Sequence, residues 1–212
     1  MTGRGENGVE VGFRPRAHGF HFPNSWPRGA PATLAGFTLG RVYGGLCGGM
    51  CVLAARAFEQ GTGLPRDRAV PADGTLTSQL WQAQLASMDL PDGPLRYLRL
   101  QLPTAAAARR RSSLADAIPA VRRSLQSGRP ALLGLVRAIS WSPAALGRHH
   151  VVLSYALRVR RLTPDLPAEG VELRVYDPNL PDDDSVVLVV APDGSVRHTR
   201  SELPVHALVA LG

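Results

Sequence analysis

A chain of 212 residues with 44% hydrophobic and 19% charged side chains is long enough to bury a core without disulfide staples, and too apolar for a disordered segment. No window approaches the roughly 18 apolar residues of a membrane span, and only two cysteines exclude a disulfide-rich secreted scaffold. The net charge of +7 is carried by arginine alone and invites a nucleic-acid reading, but the arginines are spread along the chain and aromatics are too few to interleave with them, so nucleic acid is not an expected partner.

Residues 1–35 are rich in Gly, Pro and Arg with little periodicity, and are read as an extended or partly disordered arm. Residues 36–212 are read as one domain. The N-terminus has no apolar signal-peptide core, and two free thiols suit a reducing compartment, so the expected location is the cytoplasm. A glycine turn at Gly44-Gly45 leads into a helix over 47–60, where Met50, Leu53, Ala54, Ala57 and Phe58 recur at helical spacing and Gly61 is a stop. Thr75 or Thr77 caps a second helix to about Met88, and Pro91, Gly93 and Pro94 break the pattern. The Arg109–Arg111 run is read as loop. A third helix is expected over 113–127, with Pro119 either kinking it or marking its true first turn.

Beyond Gly128 the period changes to two. Strands are expected over 131–137, 150–160, 171–177, 185–191 and 195–199, the last two joined by Pro192-Asp193-Gly194, with a further strand near the C-terminus. Helices first and strands second indicate an α+β domain with an antiparallel sheet.

Three short segments carry chemistry. In Leu46-Cys47-Gly48-Gly49-Met50-Cys51 a cysteine opens a helix, where unpaired N–H groups and the dipole favour the nucleophilic thiolate. The flanking glycines allow a tight turn and close approach of a substrate backbone. Cys51, one turn inside, reads as a core thiol; the two are too far apart on a helix to bridge. His149 and His150 stand at the mouth of an apolar strand and face opposite ways. His150 shares its face with Val152, Ser154 and Ala156, small enough for close packing on a helix, and is the preferred functional imidazole. In Val175-Tyr176-Asp177-Pro178-Asn179 the alternation of Val171, Leu173 and Val175 ends on Asp177. A hairpin around 161–170 sets residue 150 opposite about 177–180, which brings a carboxylate or amide to the imidazole and fixes its tautomer. Asp177 is the first choice and Asn179 the alternative. The Asp182–Asp184 run lacks calcium-loop spacing, and His18-x-x-His21 has no cysteine pair to complete a zinc site, so no metal or cofactor is expected.

The order Cys47, His150, then Asp177 or Asn179, with the nucleophile on a helix and its partners on a C-terminal sheet, resembles the papain-like cysteine peptidase superfamily. The three motifs are similar to those of bacterial members, and partly to the leader peptidases of bacteriocin exporters. The resemblance covers about residues 40–190. It implies a papain-like fold and a cysteine peptidase, or a related thiol amide hydrolase or acyltransferase, acting on a peptide or protein through a Cys47–His150–Asp177 triad. The alternative is an inactive relative that uses the cleft to hold a peptide, and a weaker third reading is an Arg-rich module for anions or RNA. Cys47 is followed by Gly-Gly-Met-Cys rather than Gly-Ser/Ala-Cys-Trp, and Gly40-Arg41-Val42 offers no amide where the family places an oxyanion glutamine. Cys47 N–H is then one oxyanion donor, and Asn24 and Tyr43 are candidates for the second.

Overall fold

The computed structural model describes residues 3–5, 8–26, 31–34, 37–41, 45–70, 74–88, 92–161 and 169–211. In chain order its elements are β1 (Gly3–Gly5), β2 (Gly8–Glu10), α1 (Pro15–His18), β3 (Pro31–Leu34), β4 (Phe37–Arg41), α2 (Cys47–Gln60), α3 (Thr75–Ser87), α4 (Asp92–Gln101), α5 (Ala106–Arg111), α6 (Ile118–Gln126), β5 (Ala131–Val136), β6 (His150–Arg161), β7 (Glu169–Tyr176), β8 (Val187–Val190), β9 (Val196–His198) and β10 (Ala207–Leu211). The fold is α+β: helices pack on an antiparallel sheet, and β3 and β4 form a separate hairpin.

The long strand β6 organises the sheet. Its apolar run pairs with β7 along one edge, while β5 pairs with its first half (Leu135↔His150) and β2 with its second (Glu10↔Ala156) on the other. β10 adds outside β5, and β8 and β9 follow β7. The N-terminal segment is therefore part of the sheet, and Phe13, Phe20 and Phe22 are fully buried.

Helix α2 is sandwiched. Cys47, Cys51, Ala54 and Ala55 pack with Phe13, Val152 and other sheet residues, while Leu46 and Met50 meet Leu76 and Leu80 of α3 with Phe20 and Phe22. Each fully buried side chain of this size contributes about 1.5–3 kcal/mol. Gly61 ends the helix in the left-handed region at φ +66, its N–H on the carbonyls of Ala57 and Phe58.

Two expectations are corrected. The Arg109–Arg111 run is helical, because the alanines before it are the strongest helix formers, and Arg109 donates to the carbonyls of Leu100 and Leu102 at the end of α4. The third helix also starts earlier, at Ala106, and runs through a π-helical turn over Ser112–Ala117 into α6. Pro119, which lacks an N–H, falls in the first turn after that irregularity. The π turn is anchored from both sides of one residue: Ser112 Oγ donates to Leu208 O at 2.6 Å and Ser113 Oγ accepts from Leu208 N at 3.1 Å. A helix over 92–101, absent from the sequence reading, uses Pro94 in its first turn, where a missing N–H costs nothing.

Candidate active site

Helix α2 begins without a side-chain cap of its own, and long-range amides cover its first donors. Asn24 Oδ1 accepts from Leu46 N at 2.7 Å and Gln84 Oε1 accepts from Gly49 N at 2.9 Å. Gly45 has φ +83, and a Cβ there would lie 2.5 Å from Asn24 Nδ2, so only glycine allows this approach. Gly48 and Gly49 have a different reason from the one expected of them. A Cβ on Gly48 would meet Ser87 Oγ at 2.4 Å, and one on Gly49 would strike the Leu80 carbonyl, so the pair seats α2 on α3 rather than clearing a path for substrate.

Cys47 Sγ faces His150. Burial pushes its pKa up, but the hydrogen bond and charge of His150 and backbone hydrogen bonds at Val151 and Gly48 outweigh it, and the net shift is below the ordinary thiol value. His150 Nε2 lies 2.6 Å from Asp177 Oδ1, which leaves Nδ1 for the sulfur. Burial lowers the His150 pKa, whereas Asp177 and Cys47 raise it, to about 9. Asp177 is 2% exposed; desolvation alone would raise its pKa, yet hydrogen bonds from His150 and His198 hold it well below the usual carboxylate range. Both shifts favour the thiolate–imidazolium form of the pair.

Register explains the meeting. Leu153 pairs with Tyr176 beyond a bulge in β6 between Ser154 and Ala156, and three residues further that pairing puts His150 across from Asn179. Asp177 reaches the ring from two residues back. Asn179 donates its backbone N–H to Asp177 Oδ1 at 2.8 Å, and its amide nitrogen lies 3.4 Å from His150 Nε2. Asn24 Nδ2 donates in turn to Asn179 Oδ1 at 3.3 Å.

Two residues at the centre escaped the sequence reading. His198 Nε2 lies 3.1 Å from Asp177 Oδ2, and its Nδ1 accepts from Arg200 N at 3.1 Å. That second bond requires an unprotonated Nδ1, so the proton sits on Nε2 and a neutral imidazole donates to the carboxylate. Arg137 Nη2 lies 4.0 Å from the same oxygen on a side chain only 8% exposed. In that form thiolate, imidazolium, carboxylate and guanidinium sum to zero, which lessens the penalty of burying four ions together. A histidine inside the hairpin strand β9 and an arginine just past the apolar run of β5 were the only sequence signals for either.

The remaining candidates fall elsewhere. His149 Nδ1 accepts from Arg137 N at 3.2 Å, its Nε2 meets Gln101 Oε1 at 3.0 Å, and its ring stacks on Tyr97. Cys51 is a buried free thiol that donates to Val151 O at 3.6 Å. Asp182 binds His21, Asp184 accepts from Arg16 N and Asp183 binds Arg200, so the acidic run ties down the N-terminal segment and β9. His18 Nδ1 accepts from Arg14 N. Tyr43 lies outside the described residues. Among the described residues no cluster of three or more His, Cys, Asp or Glu is disposed to hold a metal, and no helix is long and apolar enough to cross a membrane. No family model, curated protein or solved structure matches the chain.

Proposed function

We propose that the chain is a thiol-dependent acyl-transfer enzyme of papain-like architecture, a cysteine peptidase or a related amide hydrolase or acyltransferase. The observation that carries this reading is one imidazole bridging a cysteine at a helix start and a buried carboxylate 2.6 Å away. Cys47 Sγ attacks a carbonyl carbon as thiolate. The carbonyl electron pair moves onto oxygen, then returns as the C–N or C–O bond breaks. His150 gives its Nδ1 proton to the leaving group, and a thioester remains on Cys47. Water or an amine then attacks the thioester, with His150 taking the proton, and the thiolate is restored. Asp177 orients His150 and balances its charge.

The oxyanion needs donors. The Cys47 N–H, at the first position of α2 beside the sulfur, suits that role. For the second donor, Gln84 is the better choice than Asn24. The Asn24 amide nitrogen is already directed at Asn179, whereas Gln84 presents only its oxygen to Gly49 and lines the same cavity as Cys47. Loss of one such donor costs about 100- to 1000-fold in turnover.

p-Nitrophenyl acetate tests the reading. A burst of nitrophenolate equal to the protein, with the acetyl group found on Cys47 by mass and absent in Cys47→Ser, is expected. No acylation of Cys47 would leave a peptide-binding module as the better reading. In a responding enzyme, Gln84→Glu, which keeps the acceptor for Gly49 and removes the donor, should slow turnover even at a pH where alkylation of Cys47 has reached its plateau, so that the added charge beside the thiolate is not the cause.

A further inference from the structure

Beside Cys47 and His150 lies a cavity of about 100 Å³. It is walled by the end of α3 and the start of α4, chiefly Met88, Pro94 and Tyr97, and lined on its other sides by Leu146, Val151 and Leu211. Its polar members are uncharged: Gln84 Oε1 accepts from Gly49 N and Ser87 Oγ donates to Gln84 O at 2.7 Å. That leaves the Gln84 amide nitrogen and the buried Tyr97 hydroxyl, which lies against Gly134 and has no hydrogen-bond partner among the described residues. His149 forms part of the wall without bringing a charge. Its Nδ1 accepts a backbone N–H, so its proton is on Nε2 and goes to Gln101 Oε1, in a neutral tautomer held at both ends. Desolvation, with Arg148 and His206 nearby, lowers its pKa to about 4. Apart from Cys47 and His150 themselves, no ionised side chain lines this space among the described residues.

Size and polarity together narrow what fits. An apolar cavity of about 150 Å³ takes a benzene ring, so this smaller one suits a group of about four carbons better than a ring. A charged group entering it would lose its water and meet, among the described lining, no ion other than Cys47 and His150, which already pair with each other. We infer that the cavity is the specificity pocket of the site, and that the substrate places a short, uncharged aliphatic group there, next to the carbonyl that Cys47 attacks. This rests on the acyl-transfer reading, but the pocket can be tested without turnover.

The probes are iodoacetamide and its N-isobutyl, N-benzyl and N-(2-carboxyethyl) derivatives, used on the full chain in a Cys51→Ala background. Rates at Cys47 are divided by each reagent's rate with free cysteine. The isobutyl reagent should exceed the benzyl and carboxyethyl reagents by about tenfold or more, since one methylene that fits or clashes in an apolar pocket is worth about 10- to 200-fold. Met88→Ala should bring the benzyl reagent up towards the isobutyl one. Leu146→Phe should do the reverse, abolishing the isobutyl advantage while the parent reagent keeps its rate. Equal normalised rates in the unsubstituted chain, or a benzyl or carboxyethyl preference, overturn the pocket whether or not either variant folds. The ester burst decides the other reading separately. Acylation of Cys47 without an aliphatic preference sinks the pocket alone, and the preference without acylation sinks the acyl-transfer reading alone.

Discussion

Cys47 and Cys51 lie one turn apart on the same helix, both buried and both unbridged, yet their acidities move in opposite directions. Both sulfurs meet the backbone of Val151. It offers a backbone hydrogen bond that stabilises the Cys47 thiolate, whereas its carbonyl accepts from the Cys51 thiol. Cys51 is desolvated, then disfavoured further by the charges of Cys47 and Asp177, and its pKa rises well above the ordinary value. Cys47 suffers comparable burial but has His150. Burial alone makes a thiol inert; a donor and a cation placed against the sulfur reverse it.

The largest effect should come from removing that cation. His150→Ala turns the Cys47 environment into one like that of Cys51. Its alkylation at pH 6 should fall about 1000-fold, because the thiolate loses both its hydrogen-bond donor and its neighbouring cation. An unchanged rate would mean that the helix start activates the thiol unaided.

Asp177→Asn should come next. With the carboxylate gone, the His150 pKa falls from about 9, the imidazolium is less favoured, and the thiol pKa rises. The acid limb of the alkylation profile should therefore move to higher pH, with a loss of about 10- to 100-fold at pH 6 corresponding to a shift of one or two units. Asn179→Ala should leave that limb in place. The opposite ranking would make Asn179 the partner of His150.

His198 provides a smaller test. His198→Phe removes the donor to Asp177 Oδ2 and should move the acid limb in the same direction by about one unit or less, since a hydrogen bond to a charged group is worth about 1.5–3 kcal/mol before relaxation. His198→Gln, whose amide can donate, should restore much of the profile. A loss of stability in both variants with the limb unmoved would reduce His198 to a packing residue.

Much of this site could be read from spacing, because its members lie where periodicity is strongest. The apolar rows of α2, β6 and β7 place Cys47, His150 and Asp177 at the ends of their elements, and the hairpin loop between β6 and β7 fixes which residues meet. Local pattern does not report contacts made by a curling sheet. His198 arrives two strands beyond β7, and Arg137 comes from the other side, beyond β5. The glycines after Cys47 were visible but their reason was not, since only the crossing of α3 over α2 explains them. Gln84, the proposed second oxyanion donor, is hidden for the same cause: the resemblance places an amide just before the cysteine, whereas Gln84 lies on the helix that follows it. The missed helices, α4 and α5, show the limit of reading proline and arginine as breaks. In a first helical turn proline is tolerated, and arginine beside an alanine run is a good helix former.

The most direct test of the thiolate–imidazolium pair is the pH dependence of alkylation by iodoacetamide from pH 4 to 10. Both cysteines lie between Arg41 and Arg56, so fragment ions of that single tryptic peptide separate Cys47 from Cys51. The account predicts that Cys47 reacts well below the pH at which an ordinary thiol ionises, about 8.5, while Cys51 stays unmodified throughout the range in the folded chain. A Cys47 rate that rises only near that ordinary value, or labelling of Cys51 first, would contradict it.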